Sequence, residues 1–199
     1  MNEPLTPVIM ERKPDAQERQ AQGVVSMSDS LAGQVLAYLR EHNTMTIATR
    51  GPEGPWAASV FYASDRFDLY FLSAPDSLHS VNIHADPQVS VTVSEDYHDW
   101  RKIKGIQLLG EARVLEAESE IATATAVYVE KYPFTAKYLK LLLSRFGGVV
   151  KYLEKVLERV PFAPDINASA AKFYKVTPRR VYFVDNEHGL GKRREVELD

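Results

Sequence analysis

The chain has 199 residues, a formal net charge of −3 and 45% hydrophobic residues, which predicts one soluble globular domain and gives no electrostatic reason to expect nucleic acid. It contains no cysteine, and this excludes disulfides, thiolate metal sites, iron–sulfur clusters and a cysteine nucleophile. No run of roughly 18 apolar residues is available for a membrane span. Met1–Gln22 is polar, carries Pro4, Pro7 and Pro14, and lacks the apolar stretch of a secretory signal. These readings predict a cytoplasmic protein with a flexible arm over residues 1–27 and a single domain over 28–199.

Ordered structure is predicted from near Ser28, where a Ser or Asp caps a helix that sets Leu31, Val35, Leu36 and Leu39 on one face. TMTIAT (44–49) reads as a strand and GPEGP (51–55) as a turn. WAASVFYAS and DLYFLS form a hairpin around Asp65-Arg66. An amphipathic helix follows, starting near Leu78 to Val81, and Asp86-Pro87 leads on to VSVTVS (89–94) and IQLLGEARVLE (106–116) as strands joined by the loop EDYHDWRK, whose Trp100, Arg101 and Lys102 are candidates to cover a ligand. Gly110 inside the second of these strands predicts a bulge or a close backbone approach. Helical periodicity then runs through a block at about 116–160, including FTAKYLKLLLSRF and VVKYLEKVLERV. Two short strands, AAKFYKVTP and RRVYFVDN, precede the tail HGLGKRREVELD. Mostly antiparallel strands with helices inserted near the middle predict an α+β fold built on an antiparallel barrel, not a doubly wound sheet.

The stretch FLSAPDSLHSVNI gathers Ser73, Asp76, Ser77 and His79 where a strand hands over to a helix. The first amides of that helix lack internal partners, so an anion there would accept their hydrogen bonds and feel the positive end of the helix dipole. Ser73, Ser77 and His79 could add side-chain donors; the alternative is a plain helix cap with a solvated histidine. No GxSxG elbow surrounds the serines, and Gly189-Leu190-Gly191-Lys192 lacks the spacing of a phosphate loop. Glu95, Asp96, His98 and Asp99 are metal-ligand types in what reads as a solvated loop, and no metal site is predicted.

The order WAASVFY, hairpin, LYFLS, DSLHSVNIHADPQVSV and GIQLLGEARVLE, with VDNEHGLGKR near the end, resembles the FMN-binding split-barrel family typified by pyridoxamine 5'-phosphate oxidase, and within it a small uncharacterised bacterial branch. The resemblance covers roughly residues 35–116 and 173–193. It implies a homodimer with FMN at the interface and an oxidoreductase acting on a small molecule, with NAD(P)H or another reductant as electron source. Ala58, Ser59, Val60 and Phe61 would line the flavin ring, Ser73, Ser77 and His79 would hold the phosphate, Gln107 would approach the ring or ribityl chain, and Lys192 and Arg193 would come from the tail. Two departures stand out. The position of His79 is commonly Lys or Arg in the family, and the helical block is longer than in compact members. No catalytic side chain is predicted, because the flavin itself would carry hydride at N5. The alternative is a flavin binder or sensor without turnover; deazaflavin and haem are variations, with His188 and His98 as haem-ligand candidates.

Overall fold

The computed structural model describes residues 30–136, 139 and 171–198. Helix α1 (Leu31–Glu41) starts at Ser30, whose hydroxyl accepts from the Gly33 amide at 3.0 Å. Its Val35, Leu36 and Leu39 are buried and Leu31 packs against the same core, as the periodicity requires. Among the described residues seven strands follow with two further α-helices: β1 (Thr44–Gly51), β2 (Gly54–Asp65), β3 (Asp68–Ser73), α2 (Leu78–Ala85), β4 (Gln88–Ser94), β5 (Lys104–Val114), α3 (Glu118–Lys131), β6 (Lys172–Asp185) and β7 (Arg193–Val196). The sheet order β3-β2-β1-β4-β5-β6-β7, with β3 also paired to β6, closes a six-stranded antiparallel barrel and leaves β7 as an added edge on β6. The expected FTAKYLKLLLSRF and VVKYLEKVLERV helices and the N-terminal arm lie almost wholly outside the described residues.

Inward positions fill the barrel with Met45, Ile47, Tyr62, Leu69, Phe71, Val91, Val93, Ile106 and Val176, among others. A second cluster lies outside it, where α3 presents Ile121, Ala124, Tyr128 and Val129 to Ala63, Tyr70 and Phe173. α2 closes one end of the barrel with Ile83 in the core, and its buried Asn82 donates to Thr49 Oγ1 at 3.1 Å.

Two differences from the sequence reading have clear causes. The two expected terminal strands are one strand, β6, running through Pro178. Gly110 pairs with Pro178 while Leu109 pairs with Arg180, so Arg179 is an extra residue at a bulge. Before the bulge Tyr174 and Val176 face the core, and after it Val181 and Phe183 do, so the bulge resets the alternation. The missing amide of Pro178 costs no ladder bond on the other edge, because pairing to β3 ends at Val176 and pairing to β7 begins at Val181. The second difference is β7 itself, which the tail was not expected to form.

The end of α3 is tied to the end of α1 by Lys131. Its ammonium donates to the carbonyls of Leu39 (3.1 Å) and His42, and lies 4.2 Å from the centroid of the Tyr62 ring. Carbonyls at a helix C-terminus favour a cation, yet burial pushes the amine from 10.5 down to about 8. The unfolded chain therefore binds this proton more tightly than the folded one, and stability contributed by this group rises with pH between about 8 and 10.5. Urea denaturation across that range is expected to show a positive slope in the wild type relative to Lys131→Met; parallel pH profiles for the two proteins would contradict the assignment.

Candidate functional site

The junction between β3 and α2 gathers three of the expected side chains. Ser73 Oγ lies 2.9 Å from Ser77 Oγ and 2.7 Å from His79 Nε2, and Ser77 Oγ is 3.2 Å from the same ring nitrogen. Ser77 Oγ also donates to the Ala74 carbonyl at 2.9 Å and lies 2.8 Å from Ser80 Oγ. With one proton per hydroxyl, these contacts are consistent with a chain in which His79 donates to Ser73, Ser73 to Ser77 and Ser77 to the carbonyl. Burial holds the His79 imidazole below its ordinary value of 6.5, so the ring is a neutral donor at neutral pH.

Ser77 occupies the N-cap position of α2 with extended backbone, yet its side chain makes no capping hydrogen bond. The plain-cap reading therefore does not describe it. The first-turn amides, which have no acceptor within the helix, are left unserved by the side chain that would ordinarily cap them. The first-turn amides stand open, and a phosphate placed there could draw the hydroxyl and imidazole protons away from their internal partners, a donor set that fits the group.

Beside the junction the barrel opens. The β2–β3 ladder stops at Tyr62–Phe71, and continuing its register by two residues puts Ser73 opposite Val60. Beyond that point β2 pairs, among the described residues, only with β1. The Tyr62 amide donates to Asn43 on the β1 side at 3.0 Å, so by alternation the backbone groups of Ala57, Ser59 and Phe61 face the open edge. Ala58 and Val60 turn their side chains to the core, while Ser59 and Phe61 turn theirs outward. An edge of free amides and carbonyls beside a flat row of small side chains fits the rim of a flavin ring.

The outward face carries that row across five strands: Ser59, Thr46, Thr92, Gln107 and Tyr182 are successive register partners. Ser59 and Gln107 thus share a row, three strand spacings or about 14 Å apart. A groove of about 400 Å³ on this face is lined by Gln107, Tyr182, Arg193, Ser90, Thr92 and Leu109. Arg193 therefore joins Gln107, whereas Lys192 is not in the lining; its aliphatic stem lies against Gly189. Tyr182, Leu109, Ser90 and Thr92 were not singled out from the sequence. For Ser90 and Thr92 the signal was the apolar–polar alternation of VSVTVS, whose outward positions read as solvent-facing until the register lines them up with Leu109 and Gln107.

Near the same end, Gly191 has φ 65°, and its amide donates to Asn186 Oδ1 at 3.2 Å, so this turn needs glycine's conformational freedom. Asn186 also donates to the Trp100 carbonyl at 2.7 Å, which stitches the tail turn to the exposed Trp100 loop. Arg101 in that loop is held by Asp99 at 2.8 Å. His188 Nδ1 lies 3.0 Å from a carboxylate oxygen of the buried Asp185, leaving Nε2 directed away from its partner. His98 is exposed.

The sequence profile described as pyridoxamine 5'-phosphate oxidase matches residues 31–185, which take in α1 and all six barrel strands. The chain belongs to the pyridoxamine 5'-phosphate oxidase family. Among curated proteins, the UPF0306 protein plu4501 of Photorhabdus laumondii is 30% identical over 98 residues, covering 48% of this chain and 68% of that one. A UPF0306 protein of Yersinia pestis is also 30% identical over 98 residues, covering 48% of this chain and 66% of its own length. Among solved structures, the heme binding protein of Mycobacterium smegmatis superposes with a TM-score of 0.59 at 21% identity, over 84% of this chain and 57% of that one. A pyridoxamine 5'-phosphate oxidase-like protein of Listeria innocua gives 0.52 at 15% identity, over 78% and 98%. HutZ, the heme storage protein of Vibrio cholerae, gives 0.52 at 15%, over 74% and 90%. These likenesses establish the split-barrel fold. No described helix is long and apolar enough to cross a membrane.

Proposed function

We propose that this protein is a cytoplasmic FMN-binding flavoprotein, acting as a homodimer and as an oxidoreductase on a small molecule. The observation that carries the reading is the Ser73–Ser77–His79 cluster at a helix start whose N-cap side chain leaves the first-turn amides unserved. In this reading those donors hold the phosphate. The open β2 edge at Ser59 and Phe61 receives the rim of the ring, with Ala58 and Val60 backing it from the core. Gln107 and Arg193 line the adjoining groove, and Lys192 approaches from the tail. FMN bound there would supply hydride transfer; the chain's own residues bind, orient and exclude water. Phe61 and Leu109, 53% and 47% exposed, lie along this outward side and support its burial against a second copy.

Phosphate recognition by a buried histidine has a pH signature. The dianion raises the affinity of His79 for its proton, whereas in the free protein burial keeps the ring below 6.5. Binding therefore takes up a proton between those two values, and affinity falls as pH rises through that window. Titrations upward from pH 6.5, where the phosphate is already largely dianionic, are expected to show FMN binding weaken while riboflavin binding stays flat. Flat FMN affinity, or equal slopes for both ligands, would remove His79 from the phosphate site.

A second reading is haem binding. It is favoured by His188, which Asp185 orients with one ring nitrogen free, an arrangement suited to an axial ligand. A haem-bound protein would show a Soret band that His188→Ala abolishes. Flavin binding without turnover is distinguished by anaerobic reduction: NADH or NADPH bleaches an enzyme's flavin, and only a chemical reductant bleaches a carrier's.

A further inference from the structure

Outside the groove and the β2 edge, a pocket of about 420 Å³ lies between α2, the end of β5 and the start of β6. Its apolar wall comes from Ile83, Ala112, Val114 and two prolines, Pro75 and Pro87. Tyr174 reaches this wall from the barrel core. Its ring stacks on Phe71 with centroids 5.2 Å apart, the residue is 5% exposed, and its hydroxyl has no hydrogen-bond partner among the described residues. The ring is buried but the hydroxyl is not, so the oxygen opens into the pocket, where a ligand can reach it. Lys172 stands beside it on the same face of β6, opposite Ser73 in the β3 ladder, and makes no ion pair among the described residues. Arg113, the other cation of the lining, is already held by Glu120 at 3.1 Å. Glu116 is the one carboxylate in the lining, exposed in the segment after β5. Ser80 and His84 add a hydroxyl and an imidazole from α2.

We propose that this pocket binds a small organic carboxylate with an apolar body. The carboxylate accepts from the Tyr174 hydroxyl and the Lys172 ammonium, and the body lies on Ile83, Ala112 and Val114. The site does not depend on which cofactor the barrel binds. It borders the junction cluster, since Ser80 lies 2.8 Å from Ser77 Oγ, but it opens on the β5–β6 side of α2 and not toward β2.

The test uses the full chain and 3-phenylpropionate as probe, with 3-phenylpropionamide and inorganic phosphate as controls, by calorimetry and by NMR of the Ile83 and Val114 methyl groups. The expected result is saturable binding of the carboxylate, at least tenfold weaker binding of the amide and of phosphate, and methyl shifts confined to this pocket. Tyr174→Phe, which keeps the stacked ring, and Lys172→Ala, at an exposed position, are each expected to weaken the probe about tenfold, the loss of one charge-assisted bond. Equal affinity for the amide, equal affinity for inorganic phosphate, unchanged binding in both variants, or no saturation at millimolar probe would each overturn the proposal.

Discussion

Gly110→Ala is expected to destabilise the barrel by about 2–3 kcal/mol, the cost of forcing an atom into a packed interior that cannot yield. A Cβ at this position would lie 2.5 Å from the Thr177 carbonyl oxygen and 2.9 Å from Pro178 Cα. Both are backbone atoms of the strand that Gly110 pairs with, so relief requires β6 to move away from β5. The position also sits at the register shift that gives β6 its extra residue. Without that shift the strand could not present Tyr174 and Val176 inward in its first half and Val181 and Phe183 inward in its second. Tyr182 would turn away from Gln107, and the groove would lose a wall. Urea denaturation of Gly110→Ala beside Glu111→Ala separates this from a general loss of strand propensity, since the exposed neighbour is expected to cost within about 0.5 kcal/mol. Equal stabilities for the two variants would show that the ladder tolerates a side chain at the bulge.

The double replacement Ser77→Ala with His79→Ala is expected to weaken FMN binding about a hundredfold and leave riboflavin binding unchanged. Each side chain contributes a hydrogen bond to a charged group, and such bonds contribute roughly 1.5–3 kcal/mol apiece, so about 3 kcal/mol for the pair is a conservative sum. Both residues are half-buried on the surface of the junction, and neither belongs to the hydrophobic core. The contrast between ligands matters more than the size of the loss. A mutation that merely loosened α2 would weaken FMN and riboflavin together, whereas loss of phosphate donors acts on FMN alone.

Much of this architecture was legible in the sequence because it is set locally. The α1 face of Val35, Leu36 and Leu39, the hairpin at Asp65-Arg66, the VSVTVS alternation and the glycine at 110 each act through near neighbours. The continuity of β6 was not legible, since Pro178 reads as a strand breaker unless the partners on both edges are known. β7 escaped notice for a related reason. RREV carries one apolar residue, and a charged strand at a sheet edge has the composition of a surface tail.

The candidate site divides in the same way. Ser73, Ser77 and His79 lie within seven residues, and the strand-to-helix handover that joins them could be read from pattern. Ser59, Gln107 and Arg193 come from three distant segments, and only the register across β2, β1, β4, β5, β6 and β7 relates them. The missing capping bond of Ser77 is a matter of rotamer and had no signal in the sequence. The open edge of β2 is set by where pairing to β3 stops, a consequence of barrel closure through β6.

The most direct test of the account is the absorption spectrum of the purified protein before and after addition of FMN, with mass spectrometry of whatever is released on denaturation. FMN held at the junction predicts paired near-ultraviolet and blue flavin bands and release of a species with the mass of FMN. A Soret band with release of haem, or a colourless protein that FMN leaves unchanged, would contradict it.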